Sequence, residues 1–136
     1  MRDFQTIVVK VALIVALDLA MAPVVSAGAF DGSTTLLCAP IEAYECEPAG
    51  ECARVSLETA NLPQFIRVDF DKKMLSGGER TTPIQNLRNK DGKTILQGAE
   101  AGRGWSAVID QETGRLSIAL ADTHAGFLVF GACTTP

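Results

Sequence analysis

The sequence predicts an all-β fold: an antiparallel meander of about eight short strands, closed or nearly closed into a small barrel and stapled by disulfides. Three observations predict it. Apolar and polar residues alternate at period two, as in Ile66, Val68 and Phe70 against Arg67, Asp69 and Asp71, and in Leu116, Ile118 and Leu120 against Ser117, Ala119 and Ala121; this points one face of each strand inward. Turn residues break the alternation about every eight to twelve positions. Finally, of the 4 cysteines, Cys38, Cys46 and Cys52 are bunched and Cys133 lies close to the end of the chain.

Residues 1–27 read as an export signal. Arg2 and Lys10 supply positive charge, an apolar run follows from Val11 to Ala22, and Val25 with Ala27, or Ala27 with Ala29, fits the small-x-small cleavage rule. Asp3 and Asp18 depart from the pattern. The rival reading, a retained membrane anchor, needs roughly 20 apolar residues, and Asp18 interrupts a shorter run. Leu37 ahead of Cys38 argues against lipid attachment there. The expected product is a secreted or periplasmic domain, residues 28–136, with no membrane segment after cleavage.

Within that single domain the strands are expected at 35–46, 52–57, 64–71, 81–89, 93–99, 103–110, 115–121 and 126–133. Pro48-Ala49-Gly50 turns the first into the second. Ser56 to Leu62 suits a single helical turn stopped by Pro63, because the residue before a proline disfavours helical backbone. Ser76-Gly77-Gly78 separates the third strand from the fourth. Asp91-Gly92 is the signature of a type I′ hairpin, and Gly114 closing Glu112-Thr113-Gly114 suits a bulged one. Glycines 98, 102 and 104 and His124-Ala125-Gly126 mark the remaining turns. Hairpins in succession, without long crossovers, make a meander, and curling it closed removes exposed edges.

The cysteines constrain that picture further. Four allow three pairings. A hairpin at Pro48-Ala49-Gly50 brings Cys46 opposite Cys52, at a separation a disulfide spans. An extended strand from Cys38 to Cys46 covers eight steps of about 3.3 Å, which removes Cys38 from both and pairs it with Cys133. A thiolate metal site or redox pair is disfavoured, since there is no Cys-x-x-Cys and only 1 histidine.

Through Gly98-Ala99-Glu100-Ala101-Gly102-Arg103-Gly104-Trp105-Ser106, the stretch from Val108 to Leu116, and the terminal run from Gly126 to Cys133, the chain resembles a loose group of small exported bacterial proteins without an established activity. The similarity covers most of the region after the signal. At the level of fold and compartment it is also similar to the periplasmic inhibitors of lysozyme, which are acidic, disulfide-stapled β-barrels. That resemblance stays at fold and compartment and transfers no site residue.

The formal charge of −4 is unchanged by loss of the signal, which removes Arg2, Lys10, Asp3 and Asp18 together. The remaining basic residues are scattered, so no stripe follows a nucleic-acid backbone. His124 is the one side chain with an ordinary pKa near neutrality, and a hydrolytic triad would have to join it to Ser106 or Ser117 and to Asp110 or Asp122. No Gly-x-Ser-x-Gly elbow surrounds either serine. Asp69 and Asp71 read as a solvated strand face shared with Arg67, and Glu42, Glu45, Glu47 and Glu51 as a charged rim lacking calcium-loop spacing. The glycines at 98, 102 and 104 lack the flanking strand and helix of a dinucleotide site.

Arg103 and Trp105 are the remaining candidates. Exposed, they would form an interface hot spot; buried, Trp105 is the largest piece of the core, and this second reading is favoured because it begins the strand that continues with Ala107 and Ile109. The sequence thus favours a binding protein over an enzyme, with no cofactor, no metal and no nucleic acid, and leaves oligomeric state open. The leading expectation is a protein partner, such as a hydrolase that this domain inhibits, met by loops around Arg103 and Trp105 or at the Cys46 hairpin. The alternative is small-ligand carriage, which needs a void of at least about 300 Å³, whereas a chain of this length with eight short strands is expected to fill its interior with side chains. A filled interior with Trp105 outside favours the partner; a measured void favours carriage.

Overall fold

The computed structural model describes residues 29–136, and in them ten strands form one antiparallel sheet without helices. The strands are β1 (Leu36–Cys46), β2 (Cys52–Val55), β3 (Ile66–Asp69), β4 (Met74–Gly77), β5 (Arg80–Pro83), β6 (Asn86–Lys90), β7 (Lys93–Glu100), β8 (Arg103–Asp110), β9 (Arg115–Ala121) and β10 (Gly126–Thr134). Residues 1–27, expected to be an export signal, lie outside the described residues.

The sheet runs β5-β4-β3-β1-β10-β9-β8-β7-β6, with β2 pairing β1 to the side. Strand β1 is the hub. Its first residues pair β3, its last pair β2, and β10 follows it along the other edge. Pro40, in mid-strand, has no N–H to give a ladder, and the register slips between Pro40 and Glu42 to leave Ile41 bulged and 63% exposed. Opposite the bulge stands Gly131, where a side chain would collide with the Ala39 carbonyl.

The two outermost strands, β5 and β6, are consecutive in the chain and joined only by Ile84 and Gln85. A sheet whose edges are that close along the chain must curl round on itself. β4 pairs β5 on one side of the seam and β7 pairs β6 on the other. Between β5 and β7 there is no ladder; Thr82 Oγ1 donates to the Ala99 carbonyl at 3.2 Å and accepts from Trp105 Nε1 at 3.4 Å. The barrel is therefore nearly closed rather than closed.

Three details differ from the expected elements. The span 81–89 is broken because Pro83 offers no N–H and the N–H of Ile84 leaves the ladder for the Lys73 carbonyl, at 2.8 Å. Strand 64–71 shortens to Ile66–Asp69, and β4 is an addition. The turn between them contains neither Gly nor Pro: Asp69 accepts the N–H of Lys72 at 2.9 Å, and Lys73 takes a left-handed φ of 53°. Ser56–Leu62 makes the expected helical turn, with Ala60 N–H on the Ser56 carbonyl at 3.1 Å and Leu62 N–H on the Leu57 carbonyl at 2.8 Å.

Inward residues of the alternating strands form the core, with Leu36, Leu96, Ile109 and Val129 fully buried. At one end of the barrel Phe30 acts as a plug. Its carbonyl accepts from the buried Thr94 hydroxyl at 2.7 Å, and its ring packs where Gly114 has no side chain. The opposite end is roofed by the segment between β2 and β3.

Candidate ligand cavity

The interior is not filled in the way the number and length of the strands predict: at the roofed end the segment 60–63 stands off the floor and encloses a cavity of about 310 Å³. Its floor comes from the inward positions of β8 and β9, Trp105, Ala107, Ile118 and Leu120, with Ile66 and Leu75 from β3 and β4 as a further apolar wall. Period-two alternation puts those side chains on one face, and the curl wraps that face into a concavity. Ala60 to Pro63 form the roof.

Two glycines set its shape. A β-carbon on Gly77 would stand 2.5 Å from Cγ of Pro63, so only glycine there lets the roof settle on β4. A β-carbon on Gly98 would overlap the Trp105 indole and stand 2.6 Å from the Pro83 carbonyl oxygen, so the indole lies across β7 towards the seam.

The rim is polar and carries Arg80, Glu100 and Arg103. Arg103 Nε donates to Asp122 Oδ2 at 3.0 Å, and its guanidinium carbon lies 5.5 Å from the centre of the Phe127 ring. Asp122 Oδ1 accepts the N–H groups of His124 at 2.7 Å and Ala125 at 2.9 Å. These two backbone donors, His124 first, and then Arg103 hold the Asp122 carboxyl below the usual carboxylate range. Arg80 donates to the Asn61 carbonyl. Neither Arg80 nor Glu100 takes part in an ion pair among the described residues.

The cysteines are bonded Cys38–Cys133 and Cys46–Cys52, with Cα separations of 3.9 and 4.1 Å. Trp105 is only 7% exposed and Arg103 is half-buried, so the pair faces into the barrel mouth instead of forming an outward contact loop. The burial agrees with the core reading of Trp105: the two residues share an inward strand face, and Gly98 leaves room for the indole. His124 is exposed in the β9–β10 turn, Ser106 and Ser117 point outward, and Asp110 sits at the far end of β8 from Arg103, so these groups are not brought together. Asp71 falls beyond β3 and does not share a strand face with Asp69. Glu42 pairs with Arg54 at 2.9 Å, and among the described residues no three His, Cys, Asp or Glu groups converge on a metal position.

Arg80, Glu100 and the roof at Asn61–Pro63 are what sequence reasoning missed. The hairpin tip Gly77-Gly78-Glu79-Arg80 was the available signal, but without β4 it had no place in the barrel. Outside, Leu37, Phe65, Leu128 and Phe130 are exposed on or beside β1 and β10, and the Tyr44 and Phe130 rings meet edge to face with centroids 6.2 Å apart.

No family model matches this chain, and neither a curated protein nor a solved structure matches it. Two disulfides accord with an oxidising, extracytoplasmic compartment. Among the described residues no helix is long and apolar enough to cross a membrane.

Proposed function

We propose that this domain is an exported binding protein, not an enzyme, and that it holds a small ligand in the mouth of its barrel. The observation that carries this reading is the cavity of about 310 Å³ beside Trp105. Its size meets the lower bound of small-molecule sites, and an apolar floor with a few polar groups at the rim is their usual chemistry. The floor rests on paired strands, so the site needs little ordering on binding. The reading of residues 1–27 as an export signal and the two disulfides support a secreted or periplasmic location.

The test is titration with N-phenyl-1-naphthylamine, an uncharged apolar dye. Saturable dye emission, excited by energy transfer from Trp105, is expected, together with its loss in Leu120→Trp, which fills the mouth. A dye signal that Leu120→Trp leaves intact rejects the cavity as the site.

A second reading, a protein partner of the kind a hydrolase inhibitor meets, draws on a different surface. Leu37, Phe65, Leu128 and Phe130 are apolar and exposed on the outer face, where isolated large apolar residues are common but a contiguous group is informative. Phe130→Asp separates the two: it leaves dye binding unchanged and weakens capture of a partner.

A further inference from the structure

We propose that the ligand is a zwitterion of amino-acid type, an apolar or aromatic body carrying an adjacent carboxylate and ammonium. This rests on the cavity being the binding site. The floor formed by Trp105, Ile118 and Leu120 accepts the body, and the cavity of about 310 Å³ has room for one such molecule.

The charges at the mouth then select the head group. Arg103 is engaged by Asp122 at 3.0 Å. That leaves one guanidinium, Arg80, and one carboxylate, Glu100, without an ion-pair partner among the described residues. They lie on facing strands. β5 and β7 meet where the Thr82 hydroxyl donates to the Ala99 carbonyl, and Glu100 follows Ala99 directly while Arg80 begins β5. Both therefore stand on the same side of the opening, at the seam of the barrel. The Asn61 carbonyl receives Arg80 and holds its guanidinium toward the roof.

A ligand carrying only a carboxylate satisfies Arg80 but brings like charge towards Glu100, and a ligand carrying only an ammonium does the reverse. A zwitterion satisfies both, with the carboxylate on Arg80 and the ammonium on Glu100. Each contact is a charge-assisted hydrogen bond, to an exposed Arg80 and a half-buried Glu100, and one such bond changes affinity by about tenfold.

Four compounds sharing one aromatic body test this: phenylalanine, 3-phenylpropionate, 2-phenylethylamine and 2-phenylethanol, each followed by Trp105 emission excited where phenylalanine does not absorb. Phenylalanine is expected to bind about tenfold tighter than either singly charged compound. Arg80→Gln should weaken phenylalanine and 3-phenylpropionate and spare 2-phenylethylamine, and Glu100→Gln should weaken phenylalanine and 2-phenylethylamine and spare 3-phenylpropionate. Both side chains sit at the rim, and an unchanged melting midpoint verifies that each variant is folded. Equal affinities across the four compounds, or tightest binding of 2-phenylethanol, overturn the zwitterion. Binding of the uncharged dye with none of the four also overturns it while leaving ligand carriage standing. Failure of the dye as well removes carriage itself.

Discussion

Trp105 occupies the space that a side chain at position 98 would need. Gly98 and Trp105 are cross-strand partners in the β7–β8 ladder, and the indole and the Pro83 carbonyl both close on the point where a β-carbon at residue 98 would stand. Through its Nε1 hydrogen bond to Thr82, 3.4 Å long, the same indole reaches the seam between β5 and β7. One contact thus fixes both the wall of the cavity and the place where the sheet nearly closes.

Gly98→Ala should therefore act on both. The added methyl has nowhere to go without moving the indole or the Pro83 carbonyl, and overpacking of this kind costs about 1–3 kcal/mol. We expect a lower unfolding midpoint, a red-shifted Trp105 emission as the ring swings towards solvent, and weaker dye binding. Unchanged emission would mean that the indole does not lie against residue 98.

How much of this was legible depended on whether a feature was local. The type I′ turn at Asp91-Gly92 could be read because both residues favour positive φ, and they adopt 50° and 70°. The pairing of Cys38 with Cys133 followed from strand length alone. By contrast β4 was hidden, because the turn before it is carried by Asp69 and Lys73 rather than by Gly or Pro. The inward side of Trp105 was legible too, since it shares its strand parity with Ala107 and Ile109. The cavity was least legible. Its roof depends on Pro63 resting against Gly77, which lies far from it in sequence, and Arg80 and Glu100 become neighbours of one opening only when the seam forms.

The two disulfides should differ in what they contribute. Cys38–Cys133 closes a loop with a sequence separation of 95, and Cys46–Cys52 one of 6. Chain-entropy reasoning assigns about 4.7 kcal/mol to the longer loop and about 2 kcal/mol to the shorter. Replacing both cysteines of each pair by serine should lower the denaturant midpoint in that order. Cys38 and Cys133 are also buried while Cys52 is exposed, so a mild reductant should open the hairpin disulfide first. Equal losses from the two double variants would contradict the entropic ranking.

Asp110 makes folding sensitive to acid. Its Oδ2 accepts from Lys93 Nζ at 2.7 Å, while its Oδ1 accepts from the N–H and hydroxyl of Thr113, at 2.8 and 2.9 Å, and from the N–H of Glu112 at 3.1 Å. Lys93 first, and then the Thr113 donors, hold the carboxyl far below its ordinary 3.8. A folded value below the unfolded one means the ionised carboxylate stabilises the fold above about pH 4, and that this contribution is lost as the pH falls below it. Asp110→Asn should accordingly be less stable than the parent at neutral pH, with the difference shrinking as the pH is lowered towards 2. Salt should narrow the gap only in part, because it screens Lys93 but leaves the turn hydrogen bonds in place. Urea midpoints measured for both proteins across that range decide the matter: parallel curves would show that Asp110 titrates alike in the folded and unfolded chain.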